Sequence, residues 1–220
     1  MIDPNTLLYL SRADIESLAL TADEVESAIE GAYRGLHEGG AASVPKSGFD
    51  TTPATFFHAM PARYDAMETV GIKWIGTAPN AALGLPHINA LIVLSDLKTA
   101  VVRAVMDGIA ITAVRPAAVS LVAARRLARR DSSRISFVAC GVQALAHLNV
   151  FAAAFPIRHV TCHSRRAESA QAFAATVRER GFDATVVTDP RAAIDGQDII
   201  VSSVPRAVGL VPTLDPAWLS

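Results

Sequence analysis

The chain has 220 residues, long for one domain and short for two complete ones, so two lobes with one of them small are expected. Hydrophobic residues make up 51% and charged residues 19%, which supports a packed core and excludes a disordered chain. A net charge of −1 leaves no electrostatic footprint for nucleic acid or an anionic membrane, and neither is expected as a partner.

The N-terminus carries Asp3, Pro4 and Asn5 before a short apolar stretch, without the basic start and long apolar centre of a signal peptide. The apolar run from Ala117 to Ala124 is far below the ~20 residues of a membrane span. Two cysteines, Cys140 and Cys162, are too few for a disulfide framework or a metal site. The expected setting is a reducing cytoplasm, with no metal.

In chain order, residues 12–39 read as helix. Ser11 and Thr21 are candidate caps, and Thr21 with Glu24 has the spacing of a capping box. Val25, Ala28, Ile29, Ala32, Tyr33 and Leu36 then recur at helical spacing until Gly39-Gly40. Residues 43–61 read as strand and turn, punctuated by Pro45, Gly48 and Pro53. Val70–Gly76 and Ile88–Ser95 are apolar and β-branched, and a turn-rich stretch separates them. Val101–Met106 reads as a further strand, Asp107-Gly108 as a tight turn, and residues 109–130 as a long helix. That helix ends in Arg125, Arg126, Arg129 and Arg130, a charge suited to the last turn or simply to solvent.

From Arg134 onward short strands alternate with helices. The strands are Ile135–Val138, His159–Cys162, Ala184–Val187 and Ile199–Ser202. The helices are Gln143–Phe155, Ala167–Arg180 and a short one at Pro190–Ile194. This alternation predicts βαβ units and a parallel sheet. The lobe boundary falls along the 109–130 helix, giving lobes of residues 1–118 and 119–220.

Two places carry chemistry on their residues alone. After the first strand of the second lobe stands Val138-Ala139-Cys140-Gly141-Val142-Gln143-Ala144. A dinucleotide-binding turn wants glycine at the positions held here by Ala139, Gly141 and Ala144, so that backbone N–H groups approach a pyrophosphate at a helix N-terminus. Alanine suffices at the last. At Ala139 a required positive φ would cost on the order of 1 kcal/mol. Alone, the motif fits a plain strand–helix turn equally well; its βαβ setting favours the dinucleotide. At the end of the next strand stand His163-Ser164-Arg165-Arg166, with no acid before Glu168. Arginines there suit the 2′-phosphate of NADP(H) rather than the ribose hydroxyls of NAD(H), the alternative being ordinary surface residues opening a helix. His58 and His87 fall in expected loops and read as exposed.

Along the chain stand, in order, Gly71-Ile72-Lys73-Trp74, the Asn80–Pro86 loop, Leu91–Asp96, Met106-Asp107-Gly108, Thr112-Ala113, Arg115-Pro116-Ala117-Ala118 and Gly141-Val142-Gln143-Ala144. As a set they resemble the ornithine cyclodeaminase/mu-crystallin family. The resemblance implies an α/β fold: an N-terminal α/β substrate and dimerisation lobe followed by a Rossmann-like NAD(P)-binding lobe that is incomplete here. It implies hydride transfer between a nicotinamide and the Cα of a small amino acid or (cyclic) imine, in a homodimer, while Arg165 and Arg166 themselves favour NADP(H) over NAD(H) as the cofactor. It gives Lys73 a catalytic role and makes Arg115 a carboxylate ligand, with Lys46 a looser match for a second. Gly141, Val142, Gln143 and Ala144 correspond to the cofactor turn, and Ser164 and Arg165 to the adenosine-phosphate site. Pro116 replaces the threonine of the family's Arg-Thr-Ala-Ala motif. Beyond Trp218-Leu219-Ser220 the resemblance implies a further segment with a catalytic aspartate and the remaining Rossmann strands. An inactive cofactor- or ligand-binding member, or a non-functional fragment, stands as the alternative. Apart from the family, Lys73 is unusual simply as a lysine on an apolar strand segment.

Overall fold

The computed structural model describes residues 6–52, 54–204 and 214–219. The fold is α/β, and it divides into two compact units, Met1–Arg115 and Pro116–Ser220. Each is described by itself.

The first unit is built on a seven-stranded sheet. Its strands are β1 (Leu8–Leu10), β2 (Ala41–Ser43), β3 (Ser47–Thr52), β4 (Thr55–Tyr64), β5 (Thr69–Thr77), β6 (Ile88–Asp96) and β7 (Val102–Asp107), in the order β1-β7-β6-β5-β4-β2 with β3 also paired to β4. All pairings are antiparallel except β1 with β7. The helix expected over 12–39 is in fact two, α1 (Arg12–Ser17) and α2 (Ala22–Glu38). The break has a local cause: Ser11 and Thr21 each cap a helix of their own, with reciprocal boxes to Asp14 and Glu24. Between them Ala19 takes a φ of +46°. The C-terminal end of α2 is closed by Gly39 at φ +83°, where a side chain would be strained.

The strand-and-turn region expected over 43–61 resolves into β2, β3 and a β4 that runs on to Tyr64. His58 therefore lies within a strand, beside the Phe56 ring at 4.7 Å, and not in a loop. His87 does lie in the β5–β6 loop, where its Nδ1 meets the Ala78 carbonyl and helps close the loop.

After β7 the chain turns sharply into α3 (Ile109–Leu127). The Gly108 N–H donates to the Ala90 carbonyl at 2.8 Å, and a Cβ on Gly108 would meet that of Ala90 at 2.9 Å. The Asp107 carboxylate accepts from the Ile109 N–H at 2.8 Å, so the first turn of α3 is pinned. The helix runs through Pro116, whose ring nitrogen has no hydrogen to give, and stops at Leu127, three residues before the expected end. The unit boundary falls inside it.

In the second unit, β8 (Arg134–Val138), β9 (His159–His163), β10 (Asp183–Val186) and β11 (Ile199–Ser202) form a parallel sheet in the order β10-β9-β8-β11. Helices α4 (Val142–Ala154) and α5 (Ala167–Glu179) make the first two crossovers. The helix expected at 190–194 is a run of turns instead, closed by Ala193 N–H to Pro190 O and Ile194 N–H to Arg191 O, and ending at Gly196 with φ +64°. A single α-type bond, Asp195 N–H to Arg191 O at 3.1 Å, forms there before Gly196 ends the run. Ile135, Phe137, Val160, Leu148, Phe151 and Val177 fill the core, and Phe137 meets Phe173 edge-on at 5.2 Å.

Strand order reverses at β8: the chain moves outward through β9 and β10, then returns to the other side of β8 as β11. The residue that leaves β8 at this reversal is Ala139, at φ +80°. The left-handed strain foreseen there is present.

Phe137→Ala is expected to cost about 3–5 kcal/mol through the cavity it leaves, read as a lowered denaturation midpoint at unchanged m-value. Ala139→Gly is expected to act oppositely. Relief of the left-handed strain exceeds the added freedom of the unfolded chain, and the melting temperature should rise by an amount equivalent to about 0.5–1 kcal/mol.

Candidate functional site

Lys73 sits near the middle of β5, paired with Met60 of β4 on one side and Ile92 of β6 on the other. Strand alternation puts it on one face with Gly71 and Ile75, while Val70, Ile72 and Trp74 take the opposite face. Neither cross-strand neighbour offers a counter-charge. The ammonium instead donates to the Thr112 hydroxyl of α3 at a long 3.4 Å. Burial lowers its pKa from the ordinary 10.5 to about 8, and the charges of Arg115 and Lys46 push in the same direction. Two cations are thus within electrostatic range of Lys73, which is half-buried, while Arg115 and Lys46 themselves are exposed. An anion is the obvious complement.

These three residues come from separate elements. Lys46 precedes β3, Lys73 lies in β5, and Arg115 lies one helical turn after Thr112 in α3. Spacing of i and i+3 puts Thr112 and Arg115 on neighbouring surface of the helix. Thr112 had been read only as part of a motif. Its closeness to Lys73 needed the pinned start of α3, although the i, i+3 spacing to Arg115 was legible. On the same sheet face a cavity of about 390 Å³ opens beside Lys73, lined mainly by apolar residues such as Leu36, Met60, Ile92 and Leu94. The opposite face is apolar and open: Trp74 and its cross-strand partner Leu91 are 43% and 44% exposed.

In the second unit, the carboxyl end of β8 leads through Ala139 and Cys140 to Gly141, the N-cap of α4. Val142 is exposed, Gln143 is intermediate, and Ala144 is fully buried against the sheet. Gly141 as N-cap offers no side chain to cap this helix, and among the described residues a Cβ built on it meets nothing within 4 Å. A helix N-terminus that starts at a glycine with room beside it is what a pyrophosphate requires, and it lies at the strand-order reversal where parallel sheets bind ligands. The residues present therefore fit a dinucleotide. Ser164 and Arg165 lie in the turn between β9 and α5, with Arg165 exposed and Arg166 at the N-cap of α5.

The helix α4 is tied to α3 by a buried polar bridge. His147 Nδ1 meets the Gln143 carbonyl at 2.7 Å and its Nε2 meets Ser120 Oγ at 3.0 Å; burial lowers its pKa and so favours the neutral ring. Its structural role had no signal in the sequence. Among the described residues, no group of three or more His, Cys, Asp or Glu has the arrangement of a metal site, and no helix is long and apolar enough to cross a membrane.

The chain is similar to an alanine dehydrogenase of Archaeoglobus fulgidus, at 33% identity over 213 residues that cover 96% of this chain and 63% of that protein. It is also similar in structure to the Delta(1)-pyrroline-2-carboxylate reductase of Thermococcus litoralis in complex with NADH and L-proline, with a TM-score of 0.88 and 29% identity over 96% of this chain and 65% of that one. An archaeal alanine dehydrogenase dimer with bound NAD gives a TM-score of 0.86 and 31% identity, over 97% of this chain and 64% of that one. The chain thus spans just under two thirds of the length of these relatives. The family model matches residues 6–220, and the chain belongs to the ornithine cyclodeaminase/mu-crystallin family.

Proposed function

We propose that this chain is a nicotinamide-dinucleotide-dependent oxidoreductase or cyclodeaminase acting at the Cα–N bond of a small amino acid or (cyclic) imine. The observation that carries this reading is Lys73: a half-buried amine held near pKa 8, in range of two other cations, on the edge of an apolar cavity. A substrate carboxylate supplies the missing anion. Arg115 grips it through its planar fork and Lys46 adds charge, which fixes the face that Cα presents. Lys73, with a pKa close to neutrality, holds or moves a proton at the substrate nitrogen.

The first unit is then the substrate and dimerisation lobe, and the second the dinucleotide lobe. In the second, the uncapped N–H groups of α4 after Gly141 receive the pyrophosphate. Gln143 and Ala144 shape that turn, and Ser164 and Arg165 hold the adenosine phosphate. Bound there, the nicotinamide supplies or accepts the hydride. Arg165, without an acid before Glu168, favours NADP(H) over NAD(H). The open apolar face of Val70, Ile72, Trp74 and Leu91 supports a homodimer, as in the NAD-bound archaeal relative. Two free thiols support a reducing cytoplasm.

The proton linkage of Lys73 has a definite sign. Its folded pKa is below its unfolded one, so the unfolded chain holds more protons between about pH 8 and 10.5. Stability of the free chain rises with pH across that window, and the cost of the repelled cation is fully present below pH 8. A bound carboxylate reverses the preference. Pyrrole-2-carboxylate, an imine mimic whose charge is constant here, is expected to bind on the order of tenfold more tightly at pH 6.5 than at 9.5 in calorimetry. Lys73→Met should abolish that dependence while raising the melting temperature of the free chain.

Cofactor binding is checked by tryptophan-fluorescence titration of the 220-residue chain with NADPH and NADH. Saturable binding that prefers NADPH is expected, and Arg165→Ala should weaken NADPH roughly tenfold while leaving NADH nearly unchanged. A folded chain that binds neither would sink the oxidoreductase reading. Binding without turnover of any imine or amino acid would select the inactive binding protein instead, a reading that Pro116 favours.

A further inference from the structure

The two cysteines of the chain come from different elements and meet at one spot. Cys140 follows β8 in the turn before Gly141, and Cys162 lies within β9. Register pairs Phe137 with Cys162 and Val138 with His163 across adjacent parallel strands, one strand spacing apart. The Ala139 N–H donates to the His163 carbonyl at 2.9 Å, carrying that pairing one residue past β8. The Cys140 side chain then folds back over the seam, with Sγ 3.3 Å from the His163 carbonyl oxygen and 3.9 Å from that of Phe137. These two contacts and the Phe137–Cys162 register place the Cys140 sulfur beside Cys162, and both thiols are free. Cys162 is fully buried, whereas Cys140 is part-exposed in the turn. A small oxidant therefore reaches Cys140 first and finds Cys162 behind it.

No role assigned above uses either thiol. We propose that Cys140 and Cys162 form a peroxide-sensitive dithiol site whose disulfide form closes the dinucleotide turn. The proposal rests on the Ala139–Ala144 turn being the cofactor site.

The chemistry balances with a hydroperoxide as oxidant. The Cys140 thiolate attacks one oxygen of hydrogen peroxide; the O–O bond breaks, leaving a sulfenic acid, and the other oxygen departs as water after taking a proton. The Cys162 sulfur then attacks the Cys140 sulfur. An S–S bond forms, the S–O bond breaks, and the hydroxyl leaves as water with the Cys162 proton. Two thiols lose two electrons and two protons, and the peroxide becomes two waters. The hydrogen bond from Cys162 lowers the Cys140 pKa, which favours the attacking thiolate, while the same contact and burial keep Cys162 as a thiol.

The consequence follows from where Cys140 stands. A disulfide holds its two Cβ atoms about 3.5–4.5 Å apart, so forming the covalent bond draws Cys140 inward toward β9. Its neighbours are Ala139, already in a left-handed conformation, and Gly141, which starts the uncapped end of α4. Neither can stay in place while the residue between them shifts, so the N–H groups that face a pyrophosphate are re-aimed.

The test uses the reduced 220-residue chain, treated with hydrogen peroxide, alkylated without reductant and mapped by peptide mass spectrometry, with NADPH titrated in parallel. Expected are a linked Cys140–Cys162 peptide pair lacking two hydrogens, at least a tenfold loss of NADPH affinity, and recovery of both states with dithiothreitol. Cys162→Ser and Cys162→Ala should bind NADPH like the parent when reduced and stop at a Cys140 sulfenic acid trapped by dimedone. Two separately alkylated cysteines after peroxide would overturn the dithiol, and a disulfide with unchanged NADPH affinity would overturn closure of the turn. If the reduced chain binds no NADPH, the cofactor reading fails and closure fails with it. The peptide map still reads the dithiol independently.

Discussion

A cation held partly out of water, with no anion paired to it among the described residues, is the constraint around which the first unit is arranged. Lys73 occupies a strand paired on both sides, and neither cross-strand neighbour, Met60 or Ile92, carries a counter-charge. The nearest charges repel it. Such an arrangement is unfavourable in the free chain and tolerable only because the rest of the unit is over-determined: two capping boxes, a long antiparallel register, and a helix start pinned at Gly108 and Asp107. The same low-polarity surroundings that lower the lysine's pKa strengthen its attraction for an incoming anion. Instability and affinity here have one origin.

The second unit solves a different problem with different means. The pyrophosphate site proposed there rests on backbone more than on side chains. A glycine with open space in front of it, a helix whose first N–H groups are uncapped, and a strand-order reversal that leaves a crevice together make the site. The strain sits at Ala139, where the chain must leave β8 and re-enter a helix within a few residues while still bonding to His163 of the adjacent strand. The buried His147 bridge to Ser120 keeps α4 from shifting under that strain.

How much of this was legible in the sequence depended on whether the cause was local. Strands β8, β9 and β11 and helices α4 and α5 announce themselves through continuous apolar runs and helical periodicity, and their bounds differ from expectation by a residue or so. The break between α1 and α2 was missed although both caps had been recognised, because apolar residues Leu18 and Leu20 carry the pattern across it. Strand β1 had no signal of its own: Leu8–Leu10 become a strand only by pairing with β7. Non-local register also decides that Thr112 meets Lys73 and that Cys140 meets Cys162. Lys73 itself stood out early, since a lysine inside an apolar run is a conflict that periodicity exposes without any structure.

The two sites therefore leave opposite traces. A β-sheet carries little net dipole, so a sheet face that is to attract an anion must do so with charged side chains, and those appear in the sequence as residues out of keeping with their surroundings. A helix N-terminus already carries partial positive charge and donors, so the dinucleotide turn is written in what is absent: the Cβ of Gly141, a capping side chain, an acid before Glu168. Substitutions should divide accordingly. The first site is sensitive to which side chain is present and tolerant of backbone change nearby. The second is sensitive to any added bulk or displacement of the backbone, even when every side chain that touches the ligand is retained.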